Sequence, residues 1–196
     1  INSLEKICSF ISSFNKDKNL LEELSNIIIK WKNASDTRLK TLIENLKLQM
    51  NNGNKTIVFA GYPGLAIELQ EKLNNEKNFG PNSFRVFLTE NETEVKEENV
   101  LDFKNKKEIN ILISDESGGE GRNFQFADSI IHYDLPWQIS PIEQRIGRLD
   151  RLKRDDYSSE VLSKVIVNSY AKENALLNCY DEGFRVFETS ISGLEF

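Results

Sequence analysis

The feature that most constrains the fold is a set of short β-branched or aromatic runs, each closed off by turn-forming residues. They are Thr56-Ile57-Val58-Phe59-Ala60, Phe84-Arg85-Val86-Phe87-Leu88, Asn110-Ile111-Leu112-Ile113, Ser129-Ile130-Ile131-His132-Tyr133 and Lys164-Val165-Ile166-Val167. Runs this short and this poor in charge suit strands buried on both faces. Helical patterns lie between them. Leu39, Leu42, Ile43 and Leu46 repeat at helix spacing behind the possible caps Ser35 and Asp36. Leu65, Leu69 and Leu73 form a second stripe, opened by Gly61-Tyr62-Pro63-Gly64. Further helices are expected over about 93–105, 141–151 and 171–190, the last carrying Leu176, Leu177 and Tyr180. Strands alternating with helices predict an α/β fold, a parallel sheet covered on both faces. Residues 1–34 read as an N-terminal helical extension, 35–190 as one α/β domain and 191–196 as a tail.

Length and charge narrow the class. The chain has 196 residues, 39% hydrophobic and 29% charged, enough for one sizeable core. No apolar run approaches the roughly 18 residues of a membrane span. The opening Ile1-Asn2-Ser3-Leu4-Glu5-Lys6 has no secretory pattern and no initiator Met, so the chain reads as a cytoplasmic piece of a longer protein. Cys8 and Cys179 are expected as reduced, buried thiols. The formal charge of −6 excludes a wholly basic nucleic-acid coat but not a local basic site. Glu and Lys over 90–108 read as a solvated helix face. By contrast, residues 145–154 set Arg145, Arg148, Arg151, Lys153 and Arg154 against Asp150 alone.

Ligands of open α/β sheets bind beyond the carboxyl ends of the strands. Two segments fall there: Gly61-Tyr62-Pro63-Gly64, and Ser114-Asp115-Glu116-Ser117-Gly118-Gly119-Glu120-Gly121-Arg122-Asn123. The amides of Gly118-Gly119-Glu120-Gly121 can cradle phosphate or ribose oxygens, although a plain turn reads equally well from this segment alone. The pattern Gly-x-x-x-x-Gly-Lys-Ser/Thr is absent. In the basic helix, Ser140 is the expected N-cap, Pro141 sits in the first turn and Glu143 takes the capping-box position. Ile142, Ile146 and Leu149 fall on one side, and Gln144, Gly147, Arg148 and Arg151 on the other. A mid-helix glycine costs about 1 kcal/mol, which a close approach by a ligand or a backbone would explain. Arginines three residues apart repel, and an anion between them relieves this. A solvated arginine face is the plain alternative. His132 is expected as a satisfied core side chain with no metal role, Trp31 and Trp137 as packing anchors, and Asp115 and Glu116 as turn and loop residues.

Taken in order, these segments resemble the second RecA-like lobe of superfamily-two helicases and translocases, in particular the Swi/Snf type and its RapA-like branch. Thr56 to Gly61 is similar to motif IV, Ser114 to Asp128 to motif V, and Glu143-Gln144-Arg145-Ile146-Gly147-Arg148-Leu149-Asp150-Arg151 to motif VI. Tyr133-Asp134-Leu135-Pro136-Trp137 resembles the strand-end segment between them, and the likeness covers roughly 35–190. Two departures stand out: no Asn-Pro follows Trp137, and Leu152-Lys153-Arg154 replaces a common Ile-Gly-Gln.

The resemblance implies a RecA-like, P-loop NTPase-type second lobe that completes an ATP site with a first lobe of the same polypeptide. ATP and Mg²⁺ would be the cofactors, with Mg²⁺ held mainly by that absent lobe and no metal site here. Arg148 and Arg151 would be catalytic, Arg151 as arginine finger, with Gln144, Gly119, Glu120 and Gly121 at the nucleotide. Gly61, Tyr62, Ser114 and Arg122 would contact nucleic acid, double-stranded DNA by family preference. RNA polymerase or another DNA-bound protein is the implied partner, and no membrane is expected. Two other classes fit the layout less well. A catalytically silent docking lobe would not need a glycine between arginines, and a nucleotide-sugar-binding domain would want acidic residues where the arginines stand.

Overall fold

The structure, a computed structural model, describes residues 37–80, 82–119, 123–149, 161–167 and 171–188. The expected extension over 1–34 and the tail over 191–196 lie outside the described residues, as do Ser35, Asp36, Cys8 and Trp31. The elements run α1 Thr37–Asn51, β1 Thr56–Phe59, α2 Pro63–Asn74, β2 Phe84–Phe87, α3 Thr93–Asn105 and β3 Ile111–Ser114. They continue with a 3₁₀ turn Glu116–Gly119, β4 Ser129–His132, α4 Ile139–Gly147, β5 Leu162–Val165 and α5 Ala171–Asn178. The five strands form one sheet in the order β2-β3-β1-β4-β5, every pairing parallel. Thr56 of β1 lies opposite both Ile111 and Ser129, which makes β1 the centre.

Strands β1, β3 and β4 are buried at every position, as their near-continuous apolar runs require. Alternate residues divide between two cores. Val58, Ala60, Ile111, Ile113 and Ile131 pack with Leu42 and Leu46 of α1 and Leu69 and Leu73 of α2. Ile57, Phe59, Leu112 and Ile130 pack on the other face with Phe103 of α3, Phe124 and Leu149. Each such side chain contributes about 1.5–3 kcal/mol when fully buried. Helix α3 buries Phe103 alone, so its Glu and Lys residues are the solvated face expected of them.

Five expectations are corrected. The last strand occupies Leu162–Val165 instead of 164–167, and as a sheet edge it is only half-buried. Helix α4 begins at Ile139 behind the N-cap Gln138, which makes no side-chain cap bond, so Ser140 is not the cap. Pro141 is tolerated inside the first turn because the first four amides of a helix have no intrahelical partner. The same helix stops at Gly147, so that glycine ends the helix and is not in its middle. The helix expected over 171–190 breaks after Asn178 into a wide turn, Cys179–Gly183, and Cys179 is an exposed free thiol.

Candidate functional site

Leaving β1, the chain turns into α2 on one face; leaving β4, it runs through α4 to Leu149, which packs on the opposite face. The order of the sheet therefore switches between β1 and β4. A switch point opens a crevice at the strand carboxyl ends. A cleft of about 390 Å³ sits there, lined by Gly61 and Tyr62 after β1, Glu116 after β3, Asp134–Gln138 after β4, Pro141 of α4 and Glu173 of α5. Tyr62 and Trp137 stand at its margin, 71% and 77% exposed. Trp137 is therefore not the packing anchor expected of it. The loop beneath it is propped from the C-terminal segment, where the buried Tyr180 hydroxyl donates to the Pro136 carbonyl at 2.9 Å.

The largest fully buried side chain below this cleft is Arg145 of α4, with no exposed surface. A guanidinium cannot shed its charge and carries five donors, so burial demands partners. Nη2 meets Glu116 Oε1 at 2.5 Å and Nε meets Glu116 Oε2 at 3.3 Å, a two-point contact. Nη1 donates to the Asp134 carbonyl at 3.3 Å, and the Asp134 carboxylate lies 3.7 Å from Nη2. The guanidinium carbon stands 5.1 Å from the Phe59 ring centroid. His132 completes the shell, with Nδ1 at 3.4 Å from Nη1 and Nε2 at 3.3 Å from Ser163 Oγ. Because arginine only donates, Nδ1 accepts and the proton resides on Nε2. Burial first, and the Arg145 charge second, push the His132 pKa down to about 3. His132 is thus the satisfied core residue expected.

Two glycines are dictated by this cluster. A Cβ on Gly61 would lie 2.7 Å from Asp134 Oδ2, 3.0 Å from Glu116 Oε1 and 3.2 Å from Arg145 Nη2. One on Gly118 would collide with the Ser114 hydroxyl. The glycine-rich turn is further drawn together by the buried Asp115 carboxylate, which accepts from the Thr89 amide at 2.7 Å, the Ser117 amide at 2.9 Å and the Ser117 hydroxyl at 2.5 Å. Asp115 and Glu116 are turn residues as expected, but Glu116 also carries the ion pair, which went unforeseen.

The expected site residues separate into groups. Gln144 is exposed, with Nε2 at 3.4 Å from Ser140 Oγ, and Arg148 at the C-cap is half-buried. The Arg148 carbonyl accepts from the Phe124 amide at 3.0 Å, joining the end of α4 to the segment that follows the turn. Among the described residues nothing approaches a Cβ built on Gly147, so packing against them does not account for that glycine. Gly119 closes the 3₁₀ turn, against which α4 packs. Ser114 and Gly61 have polar groups already engaged within the chain. Ser114 is fully buried, its hydroxyl within reach of the Phe87 and Asp115 carbonyls at 3.2 and 2.9 Å. The Gly61 amide is taken by Asp134 Oδ1 at 2.8 Å. Only Tyr62 of that trio faces outward. Arg151, Glu120, Gly121 and Arg122 lie outside the described residues. Among the described residues, no group of three or more His, Cys, Asp or Glu is placed to hold a metal ion, and no helix is long and apolar enough to cross a membrane.

A five-stranded parallel sheet with a glycine-rich turn after β3 and an arginine-bearing helix after β4 has the RecA-like layout of helicase C-terminal domains. Residues 37–153 match the helicase conserved C-terminal domain, and the chain belongs to that family. It is 35% identical over 124 residues to the RNA polymerase-associated protein RapA of Vibrio vulnificus, a match over 61% of this chain and 12% of that protein. Against RapA of Vibrio parahaemolyticus it is 30% identical over 161 residues, 81% of this chain and 16% of the relative. The chain thus spans a small part of the relatives it matches. Among solved structures, the C-terminal part of the Fun30 ATPase domain superposes with a TM-score of 0.63 at 16% identity, over 90% of this chain and 53% of that one. The second domain of the DEAD-box helicase Mss116p gives 0.61 at 20% identity, over 76% and 56%. These structural likenesses establish the fold.

Proposed function

We propose that the chain is the second lobe of an ATP-dependent motor on nucleic acid, supplying Arg148 and Arg151 to a nucleotide site that a first lobe completes. The observation that carries the reading is the joining of the glycine-rich turn to the arginine helix at the strand ends. Glu116 and Arg145, well apart in sequence, hold the two together. ATP and Mg²⁺ supply the phosphoryl group and its charge, the metal being held mainly by the first lobe. On this chain, Gln144 and the room that the described residues leave over Gly147 suit a close-lying phosphate group. Gly119, with Glu120 and Gly121, would line the nucleotide side of the turn. Arg148 and Arg151 would reach the nucleotide phosphates when the lobes close and would lose that contact after hydrolysis, so closure and reopening follow the nucleotide state.

Tyr62 and Arg122 would meet a nucleic-acid backbone, with contacts that position without reading sequence. Double-stranded DNA is the proposed track. Ser114 and Gly61 enter the proposal as supports of the turn, since their polar groups are already engaged. Relatives described as RNA polymerase-associated extend the proposal to a DNA-bound polymerase as partner, and to the bacterial cytosol or nucleoid as location.

The test is Arg151→Ala in the full-length polypeptide. DNA-stimulated hydrolysis should fall by about 10³ or more, while circular dichroism and thermal unfolding stay at wild type. Wild-type turnover would remove Arg151 from the finger role and favour the silent docking lobe. The isolated 1–196 chain should show negligible turnover; robust hydrolysis by it would contradict a site shared between lobes.

A further inference from the structure

We propose that Arg145 is a positioning residue that, through Glu116, locks the glycine-rich turn to helix α4, so that both nucleotide-facing segments move as one piece. This rests on the function proposed above and deepens it, giving the Arg145–Glu116 contact a part in coupling the two segments.

The two ends of the lock differ. Arg145 is fully buried and is held from four sides besides Glu116: the Asp134 carbonyl, the Asp134 carboxylate, His132 Nδ1 and the Phe59 ring. Its guanidinium has no second place to go. The Glu116 side chain is 41% exposed and forms part of the cleft wall. Breaking its two-point contact would free the turn while leaving Arg145 paired with Asp134.

A link serving stability alone does not need charge here. Buried ion pairs are often matched or bettered by apolar side chains of similar volume. What the ion pair adds is direction. Two parallel contacts fix the turn's orientation relative to α4 more tightly than apolar packing does. They also neutralise a carboxylate on the cleft wall that would otherwise repel an anionic ligand. The lock therefore transmits a displacement at the cleft to Gln144 and Arg148 on the same helix.

Glu116→Gln tests this, since it keeps the shape and removes the charge; Arg145→Lys, which keeps the charge and removes the fork, is the companion variant. Both are made in the full-length polypeptide and read by amide hydrogen exchange at Ser117, Gly118 and Gly119, by melting temperature, and by the stimulation of ATP hydrolysis by linear double-stranded DNA. Exchange at the turn should rise about tenfold in Glu116→Gln with the melting temperature little changed. Stimulation should fall at least about tenfold, and the double variant should be no worse than the more impaired single one. Unchanged exchange would overturn the lock. Faster exchange with wild-type stimulation would reduce Arg145 to a structural role. A wild-type protein without DNA-stimulated turnover would overturn the proposed function and this inference together, whereas retained stimulation in the variants overturns this inference alone.

Discussion

Each end of the sheet holds a cation against the strand termini, but the two cations are treated differently. At the amino end, Lys55 Nζ donates to the Lys106 and Ile109 carbonyls at 2.6 and 2.7 Å, and the Lys55 amide donates to Asp128 Oδ2 at 2.7 Å. Burial pulls the Lys55 pKa down, against the opposing pull of Glu108 and Asp128. Its ammonium ties loops together and meets mainly backbone oxygens. At the carboxyl end, Arg145 cannot lose its proton and is matched to carboxylates in full burial. One of those carboxylates, Glu116, reaches the cleft. The amino end is closed by a cation set against backbone carbonyls. The carboxyl end is organised by one set against carboxylates, and that end carries the crevice.

The largest expected effect distinguishes the two cations. Arg145→Ala leaves Glu116 and Asp134 without their guanidinium and should cost about 3–5 kcal/mol of unfolding free energy. Lys55→Ala removes hydrogen bonds to carbonyls from a half-buried site and should cost about 1–2 kcal/mol. Urea unfolding of both variants would break the comparison if the losses were equal.

A second pair of variants compares two glycines at the carboxyl end. Gly61→Ala pushes a methyl into the Asp134, Glu116 and Arg145 cluster and should destabilise by about 1–3 kcal/mol. Gly147→Ala meets no atom of the described residues and should be neutral or stabilising by up to about 1 kcal/mol. Loss of turnover in Gly147→Ala without loss of stability would place a ligand over that glycine; a loss of stability would return it to a structural role.

The third prediction concerns pH. His132 is held neutral in the fold, with its pKa near 3, and titrates near 6.5 when unfolded. Between those values the unfolded chain binds a proton that the folded chain refuses. Stability is therefore fully present above pH 6.5 and falls as pH drops toward 3, by at most about 1.4 kcal/mol per pH unit. Urea titrations at several pH values should show a shallower slope for His132→Gln. An unaltered slope would assign the acid sensitivity to other groups.

The sequence was most legible where a residue type has one structural meaning. Apolar runs such as Thr56–Phe59 became buried strands, and the Glu and Lys stretch became α3 over the expected 93–105. It was least legible at α4. Arg145 lies three residues after Ile142 and four before Leu149, on the same helical flank as those buried neighbours, yet as a charged residue it reads as solvent-facing. The available signal was that spacing, and it became decisive only with Glu116 and Asp134 in view. Trp137 erred in the opposite sense: a large apolar side chain reads as core, and it stands exposed at the cleft.

Local patterning, then, was sufficient for the alternating α/β plan, the position of the glycine-rich turn and the family to which the chain belongs, because burial and turn formation depend on residues near one another in sequence. Strand order, and with it the switch between β1 and β4, was decided only by the packed sheet. So was the burial of Arg145 and the engagement of Ser114 and Gly61, since a charge or a hydroxyl goes inside only where distant residues supply its partners.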